Sequence, residues 1–405
     1  MGPQAVRHRR LKVMTDDSYP VEFNIDLGQE NVSITRRRLT THARKPKYRD
    51  LNIHALTLER AIGFDLLHTF NAVPIRSWKP FVVTFESALP RVWGRHEARN
   101  RQWFKRLTDR LLSRRCRALL AMSQFALREF RQQHEGQSYL DDLLTKTRLV
   151  YPSVIEQPNL DVPLTDELRV IFVGHDYMRK GLPVVTRAHQ QLRAAGVPIQ
   201  TTVVSKLRWV PNEYGGPDED YDFDSERRLL DQPGLVHHET LPNKQVMTMV
   251  ATSHFSLLPT MHDTFGYSVI ETLSRATPVI ATATCALPEL IDDNRSGVLL
   301  PFANEDRFGH WSALSSRKSQ EYHEQFRETV EATAGALADA LTRIWRRRRE
   351  YPTMRQEAIE QCRRKFDRLA HCRLVQDIQH GAMTSKTTRP AQATPPKPGR
   401  TDTEA

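Results

Sequence analysis

Short apolar runs alternate with longer segments of mixed polarity along most of the chain. Between residues 254 and 302 three such runs, 255–258, 278–281 and 298–300, are separated by polar segments of helical size. A run that short and apolar throughout fits a strand buried on both faces, and strand–helix alternation is the pattern of a parallel sheet covered by helices. Runs at 169–173, 201–204 and 235–238 extend this to six strands of one α/β domain. Runs at 21–25, 64–68, 81–85, 118–122 and 149–151 outline a second, with a helix over 123–131 that Ser123 caps. The expected class is α/β, with doubly wound, Rossmann-like parallel sheets.

The pattern also divides the chain. Residues 1–18 read as a flexible arm, 19–155 as the first domain, 158–165 as a linker and 165–345 as the second domain. Within the second, 307–330 reads as a charged helical insertion ahead of a helix at 336–349. A helical stretch over 350–382 follows, and the Pro/Thr-rich segment 385–405 reads as a disordered tail.

Composition narrows the classes. The 405 residues are 39% hydrophobic and 26% charged, a globular balance, with room for two domains and their cores. No apolar run approaches the roughly 20 residues needed to cross a bilayer. The basic N-terminal segment lacks the apolar core of a signal peptide, so a cytoplasmic location is expected. Four cysteines, Cys116, Cys285, Cys362 and Cys372, show no metal-ligand spacing, which points to reduced structural thiols and no metal site. The acidic run 218–224 reads as a loop.

The net charge of +11 asks for an anionic partner: nucleic acid, a membrane surface or a phosphorylated substrate. No nucleic-acid-binding module is recognisable, so nucleic acid is not expected as a partner. The charge is uneven: residues 91–117 hold ten Lys/Arg against Glu97 and Asp109. After residue 100 this segment has helical spacing, with Trp103, Phe104, Leu107, Leu111 and Leu112 opposite the basic side chains. Such a helix either lies on an anionic membrane or packs its apolar face on the domain core, and periodicity does not separate the two.

Two loops carry candidate chemistry. Asp263-Thr264-Phe265-Gly266-Tyr267-Ser268 links a strand to a helix that bears Glu271, and Gly174-His175-Asp176-Tyr177-Met178-Arg179-Lys180-Gly181 follows the strand at 169–173. Helix starts offer N–H groups to anions, and open α/β sheets bind ligands above the carboxyl ends of their strands. The local alternatives are concrete. Asp263 can cap the following turn, Ser268-x-x-Glu271 can form a capping box, and Arg179-Lys180-Gly181 can be a solvated helix start.

The stretches D-T-F-G-Y-S-V-I-E (263–271), A-T-P-V-I-A (276–281) and C-A-L-P-E-L-I (285–291) occur in this order. They resemble the donor site of GT-B glycosyltransferases of the retaining family-four group, whose hallmarks are E-G-F-G-x-x-x-x-E, G-x-P-V and G-x-P-E. The resemblance is strong over 168–302, weak over 20–155 and absent elsewhere. It implies two Rossmann-like domains facing across a cleft and transfer of a sugar from a nucleotide-diphospho-sugar, a co-substrate, with no cofactor and no metal. It also implies a glycan or lipid-linked acceptor, and retention of anomeric configuration.

By the same resemblance, Lys180 corresponds to the Lys of G-R-x-x-x-x-K-G, which binds the donor diphosphate with the Arg. Position 175 holds His instead, with Arg179 or protonated His175 as possible replacements. Asp263 stands where the family has the Glu that contacts the donor sugar, and Glu271 where it has the Glu that holds the ribose. Main-chain N–H groups of Phe265, Gly266, Tyr267 and Ser268 would cradle the distal phosphate, and Pro288 and Glu289 would line the pocket unless Glu289 caps its own helix. On the acceptor side Glu86 replaces the family's His as a candidate, and the family's glycine-rich loop is not recognisable at 26–28. Two other readings compete: a GT-B protein that binds a nucleotide sugar or glycan without turnover, and a polyanion-binding protein on the same scaffold.

Overall fold

The computed structural model describes residues 10–16, 32–37, 51–53, 55–56, 63–75, 77–94, 97–164, 166–209, 216–217, 221–302 and 319–384. The N-terminal part contains β1 (Leu11–Asp16), β2 (Val32–Arg37), β3 (Leu51–Ile53), β4 (Ala55–Leu56), β5 (Leu66–Phe70), β6 (Val73–Pro74), β7 (Phe81–Phe85) and β8 (Val92–Gly94). It continues with α1 (Glu97–Leu112), β9 (Cys116–Ala121), α2 (Gln124–Gln133), α3 (Leu140–Thr145) and β10 (Thr147–Leu149). Six of these strands form one parallel sheet in the order β10-β9-β7-β5-β1-β2. The buried central strands, such as Phe81-Val82-Val83-Thr84-Phe85, are apolar on both faces because helices cover both sides of the sheet.

The C-terminal part runs through β11 (Leu168–Val173), α4 (Leu182–Ala194), β12 (Ile199–Val204), α5 (Phe223–Arg228), β13 (Leu235–His238), α6 (Asn243–Thr252) and β14 (Phe255–Leu258). Then come α7 (Tyr267–Leu273), β15 (Val279–Thr282), α8 (Leu287–Leu290), β16 (Gly297–Leu300) and α9 (Gln320–Arg346). Its parallel sheet has the order β13-β12-β11-β14-β15-β16, with Val170 opposite Phe255 and Leu257 opposite Ile280. The order reverses between β11 and β14, which makes the crevice above those two strands the switch point where such sheets bind ligands.

Two further helices, α10 (Tyr351–Lys365) and α11 (Arg368–Thr384), complete the described chain. Val375 and Ala382 of α11 pack with Leu66, Val82 and Leu120 of the first sheet, so the chain crosses back onto the N-terminal domain. The two crossing segments meet where the Val154 N–H donates to the Phe366 carbonyl at 3.2 Å. A buried guanidinium fixes the other connection to the C-terminal domain. Arg355 donates to the carbonyls of Asn159 and Ser253 at 3.0 Å each and to the Tyr351 hydroxyl at 2.7 Å.

Three sequence expectations change. Residues 11–16 are a strand inside the sheet, paired with β2 and β5, and not part of a flexible arm. The run Leu-Lys-Val-Met-Thr-Asp carries a Lys and follows three basic residues, which hides its buried Val13 and Met14. The segment 320–330 is no separate insertion but the first half of α9. Tyr322, Phe326, Val330, Ala334, Leu337 and Leu341 form one buried stripe at helical spacing, packed with Leu182 and Val185 of α4. The final helical stretch is two helices, broken at Phe366 and Asp367. The candidate strand at 21–25, the loop at 26–28, residues 307–318 and the tail 385–405 lie outside the described residues.

Among the described residues no helix is long and apolar enough to cross a membrane. The four cysteines are unbridged and buried.

Candidate functional site

The loops after β11 and β14 are built as one unit at the switch point. Gly181 has φ +86°, and a Cβ there would overlap the carbonyl oxygen of Pro259, so only glycine lets the two backbones approach. The Met261 N–H and the Thr260 hydroxyl both donate to the Arg179 carbonyl, at 2.8 Å each. The Arg179 guanidinium donates to Asp176 at 2.8 Å and to the His262 carbonyl at 2.7 Å.

At the centre of this unit the Lys180 ammonium is ion-paired with Asp263. Both side chains are largely buried, at 19% and 13% exposure, so the pair is shielded from the screening that weakens surface pairs. Burial alone would raise the Asp263 carboxyl, and the Lys180 charge beside it more than reverses this, leaving its pKa below the usual value. The other carboxylate oxygen accepts the Gly266 N–H at 3.1 Å. Asp263 therefore caps the turn and also faces Lys180. The alternative of a solvated start at 179–181 does not describe these side chains.

Gly266, with φ +89°, is the N-cap of α7, and a Cβ there would lie 2.6 Å from Leu287 Cδ2. No side chain caps this helix, so the Ser268–Glu271 capping box does not form, because α7 begins at Tyr267 and places Ser268 inside its first turn. Glu271 is half-buried and lines a small cavity of about 30 Å³ with Ser268, Leu258 and Val173, the residue before Gly174. Gly174 packs against the Lys180 stem, where a Cβ would meet its Cβ at 3.0 Å. The fold thus brings Gly174, Lys180, Asp263 and Gly266 together, with Ser268 and Glu271 on the helix that follows. Of the four main-chain donors expected to cradle a phosphate, the Gly266 N–H is already taken by Asp263. Phe265 is buried against its neighbour Tyr267, with ring centroids 5.1 Å apart.

His175 is exposed, and its pKa is lowered by partial burial and then by the charges of Lys206 and Arg208. The lowering favours its neutral form. Lys206 and Arg208 belong to no motif in the sequence. The signal is there, two cations in Ser-Lys-Leu-Arg directly after the strand at 201–204, but only the pairing of β11 with β12 puts them beside position 175.

Glu289 is placed elsewhere than expected. Its carboxylate accepts the main-chain N–H groups of Gln124 and Phe125 at 2.6 Å each and the Tyr151 hydroxyl at 2.8 Å. It caps α2 of the opposite domain, not its own helix, supplementing Ser123, which accepts the Ala126 N–H at 2.9 Å. Pro288, beside it, is exposed. The surrounding apolar cluster joins Phe70, Met122 and Phe125 of one domain to Phe265, Val269 and Leu287 of the other.

On the acceptor side Glu86 accepts from Asn71 at 3.1 Å and from Arg91 at 3.0 Å. Its observed partners hold the loop after β7. In α1, Leu107 and Leu111 are buried in the N-terminal core with Trp103 and Leu112 against it. The apolar face is thus used for packing, while Arg101, Lys105 and Arg106 are exposed. Of the expected acidic loop, Asp222 caps α5 and 223–228 is helical; 218–220 lie outside the described residues.

Comparison with known proteins bears on the fold. Residues 159–332 match the family of glycosyl transferases group 1. WcaL of Salmonella typhimurium, described as a candidate colanic acid biosynthesis glycosyltransferase, is 26% identical over 146 residues, covering 33% of this chain and 32% of that protein. The match thus spans about a third of the curated relative's length. Among solved structures, a glycosyltransferase from Rickettsia africae aligns over 93% of this chain and 100% of that one, with TM-score 0.59 and 13% identity. Sucrose-phosphate synthase from Thermosynechococcus elongatus aligns over 92% and 98%, with TM-score 0.54 and 15% identity. Anabaena HepE in complex with UDP-glucose aligns over 92% and 100%, with TM-score 0.53 and 13% identity. The two parallel-sheet domains have the GT-B glycosyltransferase architecture.

Proposed function

We propose that this protein transfers a sugar from a nucleotide-diphospho-sugar to a hydroxyl of a glycan or lipid-linked acceptor, with retention at the anomeric carbon. The Lys180–Asp263 pair at the switch point carries this reading. Donor entry would let Lys180 turn from Asp263 to the diphosphate, where negative charge develops as the bond from the anomeric carbon to phosphate breaks. Asp263 would then face the sugar hydroxyls, and Glu271 the ribose. The acceptor oxygen bonds the same face that the phosphate leaves, and its proton passes to the departing phosphate oxygen. No protein base is required for that transfer. Protein cations carry the leaving-group charge in this account, so neither metal nor cofactor is assigned. The exposed basic side chains of α1 suit electrostatic attachment to an anionic membrane surface, with the apolar face occupied by the core.

The test is release of nucleoside diphosphate from UDP-, GDP- and ADP-sugars, with and without crude glycan or lipid acceptors. The reading expects turnover by the wild type, loss in Lys180→Ala and Asp263→Asn, and a product of unchanged anomeric configuration by NMR. Inverted product would overturn retention.

A second reading, binding without turnover, is favoured by the neutral bias of His175 and the shorter carboxylate at Asp263. It expects diphosphate-dependent stabilisation of the wild type and no release with any donor.

A further inference from the structure

The cations of the donor loop are already matched by carboxylates. Arg179 bonds Asp176 and Lys180 bonds Asp263, so these four side chains together bring no net charge to a polyanionic diphosphate. Residue 175, where the resembling proteins carry an Arg, is a histidine. A site of this kind needs cations from somewhere else.

We propose that Lys206 and Arg208, on the loop leaving β12, supply the positive charge that holds the donor diphosphate in place of residue 175. The inference rests on the donor-site reading above. β12 lies beside β11 in the same parallel register, with Val204 opposite Val173, so both loops leave the same carboxyl edge. They are joined at the backbone. The Arg208 N–H donates to the His175 carbonyl at 2.9 Å, and the Tyr177 N–H donates to the Arg208 carbonyl at 3.3 Å.

The loop is anchored by hydrogen bonds and strained at one residue. The Leu207 N–H donates to the Ser205 hydroxyl at 3.1 Å, and the His237 ring donates to the Ser205 carbonyl at 2.8 Å. Leu207 has φ +48°, a left-handed conformation that a bulky L-residue adopts at a cost, and that strain sits between two exposed cations. The depressed His175 pKa is consistent with both charges lying close to the loop.

The test compares wild type, Lys206→Gln/Arg208→Gln and Lys180→Ala by calorimetric titration with UDP, GDP, ADP and CDP and with the parent nucleosides. Both substituted side chains are exposed, so the melting temperature without ligand should not move. The proposal expects the double variant to bind the diphosphate about tenfold or more weakly, the loss typical of charge-assisted contacts. It expects nucleoside affinity to be unchanged, the salt dependence of diphosphate binding to flatten, and His175→Arg in the double variant to restore part of the loss. Wild-type affinity in the double variant, with binding lost in Lys180→Ala, overturns the proposal and leaves the donor site standing. Equal losses for nucleoside and diphosphate overturn it too. Absence of binding by the wild type overturns both readings together.

Discussion

The carboxylate of Glu289, in the C-terminal domain, accepts the main-chain N–H of Phe125 in the first turn of an N-terminal-domain helix at 2.6 Å. With the Gln124 N–H and the Tyr151 hydroxyl it forms a clasp across the domain boundary. Carboxylates at helix N-termini stabilise both by capping and by the helix dipole. Glu289→Ala is expected to lower unfolding stability by about 1–3 kcal/mol, the range for hydrogen bonds to a charged group. Urea unfolding checks it, and an unchanged midpoint would mean that solvent serves α2 equally well.

The approach of Gly181 to Pro259 predicts an effect on both fold and site. Gly181→Ala forces a Cβ into a carbonyl oxygen at a left-handed position. The expected cost is about 2 kcal/mol or more, with diphosphate binding lost well below the new melting temperature. A variant that binds normally would show that the two loops are not a unit.

Buried histidines set an acid limit. Burial, and next the charge of His371, lower the pKa of His68 to about 4. Burial first, with Arg169 and Arg355 adding to it, does the same for His254. A histidine whose folded pKa lies below its unfolded value is protonated more readily in the unfolded chain. Stability is therefore full above about pH 6.5, declines as pH falls towards 4 and then levels, by about 3 kcal/mol for each residue. Asp263 adds nothing in that window: its depressed pKa stabilises above the ordinary carboxylate value and is lost only below it. Urea titrations at pH 7.5 and 4.5 measure the loss, and His68→Gln should reduce it. Equal stability at the two pH values would contradict the account.

Arg355 is buried and donates to four carbonyls, those of Asn159, Ser253, Ala251 and Arg275, as well as to Tyr351. Arg355→Leu leaves those acceptors unsatisfied and is expected to cost about 3 kcal/mol. Differential scanning calorimetry should show the C-terminal domain melting earlier, and an unchanged transition would rule the staple out as a stabiliser.

Much of this architecture is legible from periodicity. The strands at 81–85 and 255–258 fall where uninterrupted apolar runs place them, because strands covered on both faces leave that signature. β1 is not legible because six residues including a lysine, after a basic stretch, carry too little apolar signal. In the site, the resemblance of the motifs points to Lys180 and Asp263 on the loops after two strands and to Glu271 in the helix that follows. Spacing does not reveal that Lys180 and Asp263 face each other, which depends on the order β12-β11-β14. The partners of Glu289 lie about 165 residues away in sequence, at Gln124, and no local pattern reports such a contact.

Donor binding through Lys180 and Glu271 is the central claim, and thermal shift of the purified chain against UDP, GDP, ADP and their sugar conjugates tests it most directly. A ligand that binds only the folded state raises the melting temperature by mass action. The account predicts that one nucleoside diphosphate stabilises the wild type and that Lys180→Ala and Glu271→Ala lose the shift while keeping their fold. No shift with any nucleotide at millimolar concentration, or an equal shift in both variants, would contradict it.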